Sequence, residues 1–203
     1  MNYSFGIKKN CILTMKILVE EDIWGFDLEA ALKEISSQRR EQALKFKHEE
    51  GQRLCVLAYL LLKRLLRQEY GIEDNPVFEY NEHGKPLIVG HPDIHFNLSH
   101  CKEAAACVVS NQPVGVDVEV IREYKESLVH YTMNENEVHE VETAADPATA
   151  FIRLWTMKEA TLKLYGKGII DDLKHVIEPV RINYITTERP KYVYTIAAYK
   201  TVI

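Results

Sequence analysis

Three short apolar runs sit in the middle of the chain: IHFNL (94–98), AAACVVS (104–110) and VGVDVEV (114–120). Their β-branched, aromatic and small residues predict strands, and the short turns between them predict adjacent antiparallel pairing. Helical spacing takes over on either side. In GQRLCVLAYLLLKRLLRQEYG, Leu54, Leu57, Leu61 and Leu65 recur on one face and Gly71 ends the pattern, which predicts a helix. DLEAALKEISSQRREQALKF (27–46) predicts two helices broken at Ser36 and Ser37. FIRLWTMKEATLKLYG predicts a helix over 151–166, stopped by Gly166-Lys167-Gly168. Thr132 and Glu135 have the spacing of a capping box. Residues 12–19 predict a first strand, 173–184 and 191–199 the last ones. Residues 75–91, punctuated by Pro76, Gly84, Pro86 and Gly90, predict short extended pieces joined by turns. The order strand, helices, strands, helices, strands predicts an α+β fold of two roughly equal halves.

Composition narrows the function classes. The chain has 203 residues, 46% of them hydrophobic, enough for a sizeable core. A net charge of -5 gives no support for wholesale nucleic-acid binding. The longest apolar run, VLAYLLL (56–62), is far shorter than a membrane span. Met1 to Asn10 has no apolar run after its lysines, as a signal peptide would. Cys11, Cys55, Cys101 and Cys107 form no CxxC pair, so reduced thiols and a cytoplasmic location are expected.

The strand VGVDVEV raises a chemical question. Alternation puts Val114, Val116, Val118 and Val120 on one face and Gly115, Asp117 and Glu119 on the other. Two carboxylates about 7 Å apart on one face repel, more so when buried. A solvated face, a basic partner or a bound cation would each compensate. On the 151–166 helix, Trp155, Glu159 and Lys163 lie four apart and share a face. A Glu–Lys pair at this spacing is common on surface helices. If the face crosses VGVDVEV, however, Glu159 joins Asp117 and Glu119. Three carboxylates suit Mg²⁺, which takes hard oxygen ligands and is often completed by substrate phosphates; Lys163 would face those phosphates.

Other residues fit a phosphate-rich ligand. NEHGKP (81–86) presents Lys85 on a stiff turn, and FNLSH (96–100) ends with Ser99 and His100. Arg39, Arg40 and Arg53 are candidate phosphate contacts, although solubility alone accounts for surface arginines. No Walker loop, HExxH or GxSxG occurs.

NEHGKP, FNLSH, VGVDVE and WTMKEATLKLYGKG, in this order and spacing, resemble the 4'-phosphopantetheinyl transferase superfamily, specifically its larger monomeric type. The motifs span roughly residues 76–170, and RREQALKFKHEEGQR is similar more loosely. The resemblance implies two similar α/β halves, 1–105 and 106–203, related by a pseudo-two-fold axis, with coenzyme A in the cleft between them and the metal site in the second. It implies Mg²⁺ held by Asp117, Glu119 and Glu159, catalysis by Glu159, Lys163 and Asp117, and coenzyme A contacts from Arg39, Arg40, Arg53, Lys85, Ser99, His100 and Lys163. The implied reaction is that of a holo-[acyl-carrier-protein] synthase: a monomer transferring 4'-phosphopantetheine from coenzyme A to a serine of an apo acyl or peptidyl carrier protein. Residues 122–142 and the helix after them are expected to dock the carrier. Ala160 stands where many relatives have Ser, and Cys101 where Gly or Ala is frequent. On physical grounds alone, three acids and lysines would equally serve a metal-dependent pyrophosphate or nucleotide hydrolase. A noncatalytic carrier-binding module would keep the fold but has no use for intact acids.

Overall fold

The structure, a computed structural model, describes residues 15–168 and 172–200. It is a mixed α/β fold with three small antiparallel sheets. The elements run β1 (Met15–Glu20), α1 (Leu28–Glu34), α2 (Ser37–Leu44), α3 (Glu49–Tyr70), β2 (Phe78–Tyr80), β3 (Pro86–Ile88), β4 (His95–Cys101), β5 (Ala104–Ser110), β6 (Val114–Val120), α4 (Glu126–Thr132), α5 (Glu135–Thr143), α6 (Pro147–Tyr165), a 3-10 turn at Leu173–His175, β7 (Ile182–Glu188) and β8 (Tyr192–Tyr199). Residues 12–14 of the expected first strand lie outside the described residues.

Local chemistry explains most of these boundaries. Ser36 breaks the 27–46 stretch because its side chain accepts the Arg39 N–H and caps α2. Gly71 ends α3 at φ 67°, and Gly166 ends α6 at φ 62°. A left-handed cap of that kind suits a residue without Cβ.

The sheets and helices stack in four layers. Leu54, Leu57, Leu61 and Leu65 of α3 share a buried cluster with Phe96, Cys107 and Val109, on one face of the β1-β5-β4 sheet. The other face of β5, through Ala104, Ala106 and Val108, meets Val114, Val116 and Val118 of β6. The far side of the β6-β8-β7 sheet carries α6, where Ala160 and Leu164 meet Ile182 and Ala197. The valines of VGVDVEV thus face the other sheet, and the acids face α6.

Three expectations need correction. The runs 94–98, 104–110 and 114–120 do not form one meander: β4 pairs with β5, but β6 leaves to pair with β8, Asp117 standing opposite Thr195. β5 and β6 stack face to face instead, which buries the valines against β5's alanines. The capping box is Asn134 with Glu137, not Thr132 with Glu135; Thr132 closes α4, and its hydroxyl donates back to Leu128 O. Of residues 173–184, only those from Ile182 onward are strand, the described start being a 3-10 turn. Among the described residues, no helix is long and apolar enough to cross a membrane.

Candidate functional site

Close packing of α6 on β6 builds the site. At Gly115 a Cβ would overlap the Ala160 carbonyl oxygen and lie 2.5 Å from Leu164 N. Only a bare backbone lets α6 settle here, and this seats the helix over Asp117 two residues further along the strand. From β4, Asn97 and Ser99 reach across the joint between the sheets. Val116 N donates to Asn97 Oδ1 (2.9 Å) and Val118 N to Ser99 Oγ (3.2 Å). Side chains thus satisfy two buried donors of β6 that no strand ladder reaches.

Asp117 is 3% exposed. Its Oδ1 accepts from Lys163 Nζ at 2.6 Å and from Ser99 Oγ at 3.1 Å, and Lys163 Nζ also donates to Ser99 Oγ at 3.0 Å. Its Oδ2 is buried without a hydrogen-bond partner. Burial, and next the Asp117 charge, push the carboxyls of Glu119 and Glu159 above the usual range. An orphaned carboxylate oxygen close to two acids reluctant to ionise is short of positive charge, and every donor is a hard oxygen. By donor chemistry the residues suit Mg²⁺ or Mn²⁺.

Among the described residues, the one three-residue set whose donor atoms all lie within 4.8 Å of one another is Glu126, His130 and Glu142. That exposed set could coordinate a divalent ion. The oxygens of Asp117, Glu119 and Glu159 are not drawn together to that distance, and the Lys163 ammonium holds Asp117 instead.

The raised carboxyls set a pH dependence. A folded-state pKa above the unfolded one favours folding where the group is protonated, and that contribution is lost as pH rises through the folded value. Glu119→Gln mimics the protonated form at every pH. The variant is expected to be more stable than wild type at pH 8, with the gap closing as pH falls through the range just above ordinary carboxylates. Urea denaturation midpoints of both proteins across pH measure this; a gap that stays constant contradicts it.

The remaining candidates divide. A cleft of about 280 Å³ is lined by Lys85, Asn97, Glu159, Lys163 and Gly166, among others. Lys85 is engaged: its Nζ donates to Lys163 O (2.7 Å), Leu164 O (3.1 Å) and Val114 O (3.4 Å), and burial lowers its pKa to about 8. Asn81 Nδ2 donates to Gly166 O at 2.9 Å. The 81–86 turn thus caps carbonyls that end α6, where a cation also complements the helix dipole.

Burial, and next the Lys163 and Arg39 charges, push the His100 imidazole below its ordinary pKa. Arg39, 8% exposed, lies over the Tyr59 ring, and its Nη1 donates to Gln42 Oε1 (3.1 Å) and Cys55 Sγ (3.5 Å). Its buried Nε is without a partner. Arg53 pairs with Glu49 (2.8 Å), donates to Phe26 O and lies over the Trp24 ring. Arg40 is exposed on α2.

Sequence reasoning missed Asn81, Asn97 and the buried pair Lys158–Glu137. Lys158 is 1% exposed, and its Nζ lies 2.8 Å from Glu137 Oε2 and from Leu173 O. A signal existed for it: Lys158 falls between the apolar positions Leu154 and Leu162 of α6.

The family model of the 4'-phosphopantetheinyl transferase superfamily matches residues 113–197, from β6 to β8. The chain is 33% identical over 138 residues to the 4'-phosphopantetheinyl transferase gsp of Aneurinibacillus migulanus, covering 66% of this chain and 57% of that protein. It is 29% identical over 138 residues to Sfp of Bacillus subtilis, 66% and 62% of the two chains. With HetI of Nostoc sp. identity is 31% over 174 residues, 81% and 70% of the two chains. The match thus spans under two thirds of the length of the first two relatives.

Proposed function

The chain belongs to the 4'-phosphopantetheinyl transferase superfamily, and from that premise we propose that it transfers 4'-phosphopantetheine from coenzyme A to a serine of an apo acyl or peptidyl carrier protein. The observation that carries this reading is the buried, unpartnered Oδ2 of Asp117, whose charge acts on both Glu119 and Glu159, next to a cleft that Glu159 and Lys163 line. Asp117, Glu119 and Glu159 would hold Mg²⁺. When bound, the ion neutralises charge on the diphosphate of coenzyme A.

The chain's own residues do the rest. The carrier serine oxygen bonds to the β-phosphorus, and the bond from that phosphorus to the bridging oxygen breaks. Adenosine 3',5'-bisphosphate leaves. Lys163, released from Asp117, donates to the phosphate oxygens as charge develops there. Glu159 accepts the serine proton, a role its raised pKa favours. His100 would donate an N–H to the 3'-phosphate, and Arg39, close enough for its charge to act on His100, would add positive potential there. Ser99 holds Lys163 in place. Lys85 acts through the α6 terminus that it caps.

The two halves also take a reading from topology. In β1-β5-β4 and in β6-β8-β7 the first strand pairs with the third and the third with the second, and a long helix backs each sheet. That repeat supports a pseudo-two-fold relation. On that reading the junction would fall at the 111–113 turn, near the expected 105. A monomer suffices for this arrangement, since both halves that frame the cleft come from one chain. Intact mass of an apo carrier, incubated with the protein, coenzyme A and Mg²⁺, tests the function: a gain of about 340 Da is expected. Coenzyme A consumed with no mass gain on any carrier would favour a hydrolase instead.

A further inference from the structure

Lys163 and a divalent ion need the same carboxylate. The ammonium lies 2.6 Å from Asp117 Oδ1 and is tied to Ser99 Oγ at 3.0 Å. Asp117 is fixed in the middle of β6 and nearly fully buried, whereas the Lys163 side chain is 29% exposed on the cleft. The aspartate therefore stays, and the lysine, with its flexible four-carbon stem, is free to leave. While it stays, one of the three carboxylates is already neutralised, so the unpartnered Oδ2 attracts a second cation only weakly and the nearby ammonium repels it.

We propose that Lys163 is an internal stand-in for the divalent ion, so that the ion alone binds poorly and binds well only when the coenzyme diphosphate draws Lys163 away. This rests on the reading of Asp117 as a metal ligand. The diphosphate offers the ammonium another anionic acceptor, and its departure restores the full negative charge of Asp117. Ion and coenzyme then bind with positive coupling, which must be reciprocal.

Mn²⁺ is the probe, its free concentration read by electron paramagnetic resonance with the full chain. The surface set of Glu126, His130 and Glu142 is silenced by His130→Ala in every protein compared. The background protein is expected to bind Mn²⁺ at least about tenfold more tightly with saturating coenzyme A than without it. Lys163→Met is expected to bind Mn²⁺ without coenzyme A at least about tenfold more tightly than that background, since a monovalent competitor and its repulsion are gone. The coupling to coenzyme A should shrink in the same variant. Lys163→Gln, which can still hydrogen-bond Ser99, serves the same comparison should the Met variant melt early. If coenzyme A promotes Mn²⁺ binding but neither variant binds the ion more tightly on its own, the stand-in idea is overturned. If Asp117→Asn leaves Mn²⁺ binding with coenzyme A unchanged, the ligand assignment itself fails.

Discussion

Asp117→Asn is expected to lower the rate of carrier modification by about a thousandfold, some 4 kcal/mol of transition-state stabilisation, while the protein stays folded. Asparagine fills the same volume and can still accept from Ser99. It has no charge to hold Lys163 in the free protein or a divalent ion in the loaded one. Against this, the repulsion that lifts the Glu119 and Glu159 carboxyls is relieved. Lys163 is exposed enough to be solvated once unpaired. The amide nitrogen inherits a position without a partner, so a stability change within about 2 kcal/mol is expected. Activity and stability therefore separate, which is the signature of a group kept for chemistry. Kinetics with excess Mg²⁺ and coenzyme A, alongside urea denaturation, measure both. A variant that works within tenfold of wild type would remove Asp117 from the reacting centre.

Much of this site was readable because its residues obey short periods. Asp117 and Glu119 share a face by the two-residue period of a strand, and Glu159 and Lys163 by the helical one. Bringing the two faces together depends on Gly115, whose missing Cβ admits α6; the letter G shows the freedom but not the neighbour that exploits it. Strand pairing was less legible. β5 is buried along its whole length and β6 over its first five residues. A strand covered on both faces carries no alternation to say which edge pairs with what. The partner of β6 lies more than seventy residues away in β8, while a three-residue turn beside it suggests β5. Similarly, Thr132-x-x-Glu135 and Asn134-x-x-Glu137 both have capping spacing. The hydroxyl of Thr132 is spent on Leu128 O, a bond that only the folded α4 reveals. Lys85 illustrates a third limit: a lysine on a turn reads as a phosphate contact, whereas its partners are two carbonyls near the end of α6 and one on β6, which only the fold brings together.

Lys158→Met is expected to cost about 3–5 kcal/mol and lower Tm by roughly 6–20 °C. The ammonium is enclosed, and burial lowers its pKa despite the Glu137 partner that works to raise it. It ties three segments: α6 through its own backbone, α5 through Glu137, and the 3-10 turn through Leu173 O. Glu137 has a second duty, accepting the Asn134 N–H at 2.9 Å to complete the α5 capping box. Methionine fills the space but leaves Glu137 buried with one donor and takes the ammonium away from Leu173 O. Glu137→Gln is costly by the opposite route, leaving a buried cation whose best acceptor is gone. Replacing both with apolar residues removes the uncompensated charge, so Lys158→Met with Glu137→Leu should be less destabilised than the sum of its parts. Lys158 directly precedes Glu159, so the same anchor fixes the rotation of α6 that presents the third acid to Asp117. The Met variant should therefore lose kcat even well below its lowered Tm, and the double variant should regain stability more fully than kcat. Urea midpoints and single-temperature kinetics on four proteins, the wild type, Lys158→Met, Glu137→Leu and the double variant, decide it; additive losses, or a Met variant as stable as wild type, would show that the pair is not the tie described.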